Sequence, residues 1–192
     1  MLKIFYDLET TGTDVRKHSI HQLALIVEVD GEVVETVEIR TAPHPKAQID
    51  PKALKTSKVT EEQIRAYQPM EQAYRQFLQL FRKYVDPYDK TTRAHLVGYN
   101  NRHFDDVFLE AWMRQNGCEN PQVWFWTDTL DVLVLASQYL LDRRDGMQSF
   151  KLRRVGLTLG LYVEDEDLHD ATYDVRLTRQ IYRIVTGLEM EL

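Results

Sequence analysis

Residues 2–12 read LKIFYDLETTG, a mostly apolar run of strand length from Leu2 to Leu8 that closes on Glu9, Thr10, Thr11 and the turn-forming Gly12. A short apolar run bounded by a turn signal is the pattern of a buried strand. The chain is therefore expected to open on a strand with Asp7 and Glu9 at its C-terminal end. Side chains two apart on a strand project from one face, so these carboxylates can share a cation, and they repel each other unless something positive lies between them.

Working outward, residues 20–40 alternate in hydropathy about Asp30-Gly31, a hairpin signal that predicts two antiparallel strands. Pro43, Pro45 and Pro51 make 41–51 a loop, and Thr60 with Gln63 three residues on forms a capping-box signature for a helix start. Ala73, Phe77, Leu80, Phe81 and Tyr84 sit at helical spacing within a helix expected over about 71–84. After a loop at 86–93, HLVGY reads as a strand, and Asn100 to His103 lead into a helix over about 104–115 that Gly117 ends. VWFWT at 123–127 reads as the last strand, followed by helices over about 128–141, 149–159 and 170–186. The stretch at 142–148 is the candidate mobile loop. Strands followed by interleaved helices describe an α/β fold, a mixed sheet with helices on its faces.

A chain of 192 residues with no repeat or linker suits one domain over 1–192, long enough to bury roughly 70% of its unfolded surface. No apolar run approaches the ~20 residues of a membrane-spanning helix. Cys118 is the only cysteine, and the N-terminus turns acidic too soon for a signal peptide, so a cytoplasmic location is expected. The net charge of −6 argues against tight duplex binding through phosphate neutralisation alone. An acidic site neutralised by divalent ions is compatible with it, since such ions supply the largest local positive charge.

Two further segments carry chemistry. In GYNNRHFDD, residues 98–106, a glycine and two asparagines break the strand, Phe104 can anchor the next helix in the core, and Asp105 falls in that helix's first turn. Asp106 beside it reads as an acid favoured by the helix dipole. In HDATYD, residues 169–174, His169 precedes the closing helix and Asp174 lies inside its first turns. Each segment alone has an ordinary structural explanation. Together they bring four carboxylates and one imidazole toward one sheet edge, a hard-oxygen donor set that suits Mg²⁺ or Mn²⁺ over zinc.

In this order, YDLETTG, GYNNRHFDD and HDATYD resemble the three motifs of the DEDD exonucleases, histidine subclass, a superfamily with a ribonuclease H-like fold. Asp7 and Asp105 are 98 residues apart, and Asp105 and Asp174 are 69 apart. Together with SFKLRRVGLTLGL before HDA, the motifs look closest to the catalytic domain of bacterial exonuclease I. The resemblance implies a five-stranded mixed sheet with three antiparallel and two parallel strands. It implies two divalent ions held by Asp7, Glu9, Asp105 and Asp174, and His169 as the general base. Leu8, Thr10, Thr11, Gly12, Asn100, Asn101 and Phe104 are the expected substrate-binding set, Gly12 because its missing side chain lets backbone approach a terminal nucleotide. Many members carry His-Asn where this chain has Asn100-Asn101, so which asparagine touches substrate stays open.

The expected activity is release of nucleoside monophosphates from the 3′ end of single-stranded DNA. An RNA-directed 3′-to-5′ exonuclease and a non-catalytic, polymerase-associated module stand as alternatives, and a polymerase or repair protein as a candidate partner. Phe150 reads as a core anchor in preference to a base-stacking residue. Arg143, Arg144, Lys151, Arg153 and Arg154 read equally well as a solvated face or as a track for a phosphate backbone.

Overall fold

The computed structural model describes residues 1–163 and 170–188. Five strands, β1 (Leu2–Thr10), β2 (Ile20–Val29), β3 (Glu32–Arg40), β4 (His95–Gly98) and β5 (Leu130–Asp131), form one sheet in the order β3-β2-β1-β4-β5. The first three are antiparallel, while β4 runs parallel to β1 and β5 parallel to β4, the mixed sheet expected from the sequence. Asp30 and Gly31 both take positive φ, 52° and 96°, as a tight turn between twisted strands requires.

Alternation along β1 divides the molecule into two cores. Ile4, Tyr6 and Leu8 face a cluster completed by β2 and by two helices, α3 (Met70–Arg82) and α4 (Asp105–Gln115). Phe77 and Trp112 meet edge to face there, with ring centroids 5.5 Å apart. Phe5 faces the other side, where α5 (Val132–Tyr139), α6 (Leu152–Thr158) and α7 (Ala171–Val185) cover Ala24, Ile26 and Val97. Because the strand period is two, Lys3, Asp7 and Glu9 share the Phe5 face. Both ends of that row therefore place charge under α7.

Several sequence expectations are corrected. A short helix, α1 (Pro51–Thr56), follows the proline loop; Asp50 caps it by accepting from the Lys52 N–H at 2.8 Å. The next, α2 (Glu61–Arg65), carries the expected capping box between Thr60 and Gln63. VWFWT is not the last strand: Phe125 makes only an isolated bridge with Ala94, and its apolar content serves packing of Trp124 and Phe125 on the first core. The last strand is instead Leu130–Asp131, inside the expected helix. Asp131 starts α5 as its cap, its carboxylate accepting from the Leu133 N–H at 2.9 Å, because aspartate satisfies an open helix N-terminus better than it extends a helix. The 142–148 loop is largely a 3₁₀ helix, Leu141–Gly146. Among the described residues no helix is long and apolar enough to cross a membrane.

Candidate active site

The pairing of β1 creates the site. Along its edge toward β4, β1 is partnered only at Lys3, Ile4 and Phe5, so the strand runs on alone on that side from Tyr6 toward Thr10. Crevices at the C-terminal ends of parallel strands are where open α/β sheets place ligands. Here the crevice receives Asp7 and Glu9 from β1 and Asp105 from the first turn of α4. Asp170 caps α7, accepting from the Thr172 and Tyr173 N–H groups at 2.8 and 3.2 Å, and sets Asp174 one turn along.

These acids act on one another. Asp7 is held well above the usual carboxylate range, first by burial and then by Asp105, Asp174, Glu9 and Asp170. Burial likewise raises Glu9 to about 7; the Ser57 hydroxyl opposes the shift, and Asp174 and Asp170 add to it. Asp105 is raised well above its ordinary value by burial, although its own backbone N–H and that of Leu8 hydrogen-bond the carboxylate and pull it down. Asp7 and Glu9 keep a partial opening to solvent, which tempers the mutual repulsion. No ion pair joins a lysine or arginine to Asp7, Glu9 or Asp105 among the described residues.

Crowded carboxylate oxygens with like charges as their chief neighbours fit a hard divalent cation. Among the described residues no three His, Cys, Asp or Glu side chains already converge as a metal-binding group; the acids meet at coulombic range. His169, the expected base, lies outside the described residues.

Of the expected substrate-binding residues, Asn100 is exposed and Phe104 half-buried, its ring 4.9 Å from that of Phe108. Leu8, Thr10, Thr11, Gly12 and Asn101 are drawn inside. Thr10 and Thr11 donate to the carbonyls of Gly12 and Gln48, each at 2.8 Å. The space above Gly12 is taken by protein: a Cβ there would fall 2.5 Å from the His18 ring. Gly12 is small for the sake of this packing. Gly98 serves Asn101 in the same way, since a Cβ on it would meet Asn101 Cβ at 2.7 Å.

The sequence reading missed a buried polar network behind Asp105. The Asp106 carboxylate accepts from the Tyr6 hydroxyl, from Asn101 Nδ2 at 3.1 Å and from the Thr129 hydroxyl at 2.6 Å. It thus ties β1, the turn after β4, α4 and the approach to β5 into one unit. Asp106 does more than complement a helix dipole, and Asn101 belongs to this network. Ser57, whose hydroxyl donates to Glu9 Oε2, was missed together with α1. Asp50 followed by Pro51 was the available signal for that helix.

A model of the RNase T exonuclease family matches residues 4–182. The fold matches E. coli exonuclease I bound to a dT13 oligonucleotide with a TM-score of 0.78 at 23% identity, over 96% of this chain and 41% of that one. A further structure of exonuclease I matches with a TM-score of 0.79 at 24% identity, over 98% and 41% of the two chains. A zinc-bound form of the E. coli exonuclease I complex with single-stranded DNA gives 0.78 at 23% identity, over 97% and 40%. The chain therefore spans about two fifths of the length of these proteins. No curated protein sequence matches it.

Proposed function

Because the chain belongs to the RNase T exonuclease family over residues 4–182, we propose that it is a metal-dependent 3′-to-5′ exonuclease acting on single-stranded DNA. The observation that carries this reading is the gathering of Asp7, Glu9, Asp105 and Asp174 at the end of β1, where each raised carboxylate has other carboxylates as its charged neighbours. Such a cluster carries repulsion that a bound cation relieves.

Asp7, Glu9, Asp105 and Asp174 would hold two divalent ions, Mg²⁺ or Mn²⁺. When bound, such ions supply Lewis-acid activation of water and neutralise charge at the leaving 3′ oxygen. The chain's own residues do the rest. Leu8, through its backbone N–H, fixes Asp105 against β1. The Asp106 network holds the start of α4 to the sheet. His169, directly before the α7 cap, is assigned the proton of the attacking water, a role its ordinary pKa near neutrality suits. Single-stranded DNA is favoured as substrate by the oligonucleotide complexes of exonuclease I that share this fold.

The test uses single strands of DNA and of RNA, labelled at either end and with free or blocked 3′ ends, incubated with Mg²⁺ or Mn²⁺. Immediate mononucleotide release from a free, 3′-labelled DNA end is the expected result. Loss of the 5′ label first, or no cleavage of any strand, would sink the proposal. Preference for RNA would replace the substrate while keeping the chemistry.

A further inference from the structure

On the face of the sheet that carries Asp7 and Glu9 lies a surface of opposite charge. Residues 141–154 (LDRRDGMQSFKLRR) hold five cations against two acids in a chain whose net charge is −6. Arg143, Arg144 and Lys151 are exposed. The Arg144 guanidinium lies over the Phe150 ring, 4.6 Å from its centroid, and donates to the Met147 carbonyl at 3.2 Å. Phe150 is itself fixed: the Tyr99 hydroxyl, one residue beyond β4, donates to its backbone carbonyl at 2.6 Å. Tyr99, Met147, Phe150 and Leu152 all pack on the core that contains Phe5 and Val97. That is the face of β1 on which Asp7 and Glu9 stand.

A solvated arginine samples many rotamers, and holding it flat costs conformational entropy. Arg144 is held on one side by an aromatic ring and by its bond to the Met147 carbonyl while it remains exposed. A planar cation so arranged suits stacking of a nucleobase on its outer face, and exposed cations alongside suit phosphates. The sequence leaves these residues divided between a solvated face and a phosphate track; the ring beneath Arg144 is the feature that favours the track. Phe150 keeps its role as a core anchor and acts as the support of the shelf.

We propose that the Arg144–Phe150 shelf binds the single strand upstream of its terminal nucleotide, with a base stacked on the outer face of the Arg144 guanidinium, one phosphate at its exposed edge, and flanking phosphates taken by Arg143 and Lys151. This rests on the exonuclease reading, and it adds the direction in which the strand leaves the acids.

The experiment compares Arg144→Ala, Arg144→Lys and Phe150→Leu with Arg114→Ala, a control on α4 whose ion pair with Glu110 lies on the other face. Steady-state cleavage of a dinucleotide and a twelve-nucleotide DNA strand is measured, together with anisotropy of the labelled twelve-mer in EDTA across a salt series. Arg144→Ala is expected to raise KM for the twelve-mer about tenfold more than for the dinucleotide, the scale of one lost stacking contact. It should also lower the slope of log affinity against log salt by about 0.7, as for one phosphate contact on a single strand. Arg144→Lys should keep the slope and lose the stacking, and Phe150→Leu should resemble it. Equal KM changes for both lengths, or an unaltered twelve-mer affinity and salt slope in Arg144→Ala, would overturn the shelf. Wild-type protein that binds the twelve-mer through Arg144 in EDTA but cleaves neither strand would defeat the exonuclease reading and leave the shelf standing.

Discussion

Two groups of charged side chains lie on one face of β1 beneath one helix, and they are built on opposite rules. Toward the start of the strand, Lys3 donates to Glu28 Oε1 at 2.7 Å and Arg179 of α7 donates to Glu28 Oε2 at 2.9 Å. Lys3 also stands 5.6 Å from the centroid of the Tyr182 ring. Lys3 and Glu28 are both buried, and the charges alternate in sign. Toward the end of the strand, the neighbours that raise Asp7 and Glu9 are acids, Asp105, Asp174 and Asp170 among them. Burying a charge is tolerated when it is paired and hydrogen-bonded. The fold satisfies both conditions at the first group; at the second, Glu9 and Asp105 accept hydrogen bonds, but among the described residues the pairing is violated, with no lysine or arginine against Asp7, Glu9 or Asp105. One strand and one helix serve both, so the violation belongs to the site and not to the framework, which is the signature expected of a place reserved for a ligand.

Charge removal should therefore have opposite effects at the two groups. The largest expected effect is at the acidic one. Asp7→Asn deletes a cation ligand and should lower the cleavage rate by more than ~1,000-fold, yet in EDTA the variant should melt above the wild type because one repulsive charge is gone. A variant that melts lower in EDTA would break the comparison, and a wild-type rate with Mn²⁺ would remove Asp7 from the site.

At the balanced group the effect should reverse. Glu28→Ala strands Lys3 and Arg179 without their shared partner and should cost about 3–5 kcal/mol of stability in a denaturant titration, while the folded fraction keeps its cleavage rate. A loss below about 1 kcal/mol would show that the pairing adds little and would blur the contrast.

The smallest effect is in pH. Glu9 has a folded value of about 7, above its ordinary 4.5, chiefly through burial. Below the ordinary value the group is protonated whether folded or unfolded and contributes nothing. As pH rises through the window the unfolded chain gives up a proton that the native state retains, so stability falls, and above the folded value the full cost is present. Asp7 and Asp105 shift in the same direction. Mn²⁺ should therefore raise Tm by a few degrees more at pH 8 than at pH 5. An equal increment at both pH values would contradict this account.

Much of this architecture was legible in the sequence because it follows local rules. The apolar run at Leu2 to Leu8, the Asp30-Gly31 turn and the Thr60–Gln63 capping box each specify their own geometry, and the spacing of the three acidic segments was enough to bring Asp7, Glu9, Asp105 and Asp174 to one edge. What escaped depended on tertiary partners. VWFWT has the composition of a strand, but its rings are spent on the core, and the strand register passes to Leu130 and Asp131. The network of Asn101 and Asp106 is invisible in the sequence because its other members, Tyr6 and Thr129, are distant along the chain. The need for Gly12 became visible only when the ring of His18 was seen lying on it.

The incomplete pairing of β1 has a consequence for the behaviour of the protein in solution. A central strand left open along part of one edge is a template on which another chain can assemble. Here the Leu8 amide is already occupied by Asp105, and an approaching strand meets a concentrated negative field. The acids proposed to grip metal thus also guard the gap against edge-to-edge association, and neutralising several of them together would trade catalysis for a tendency to aggregate.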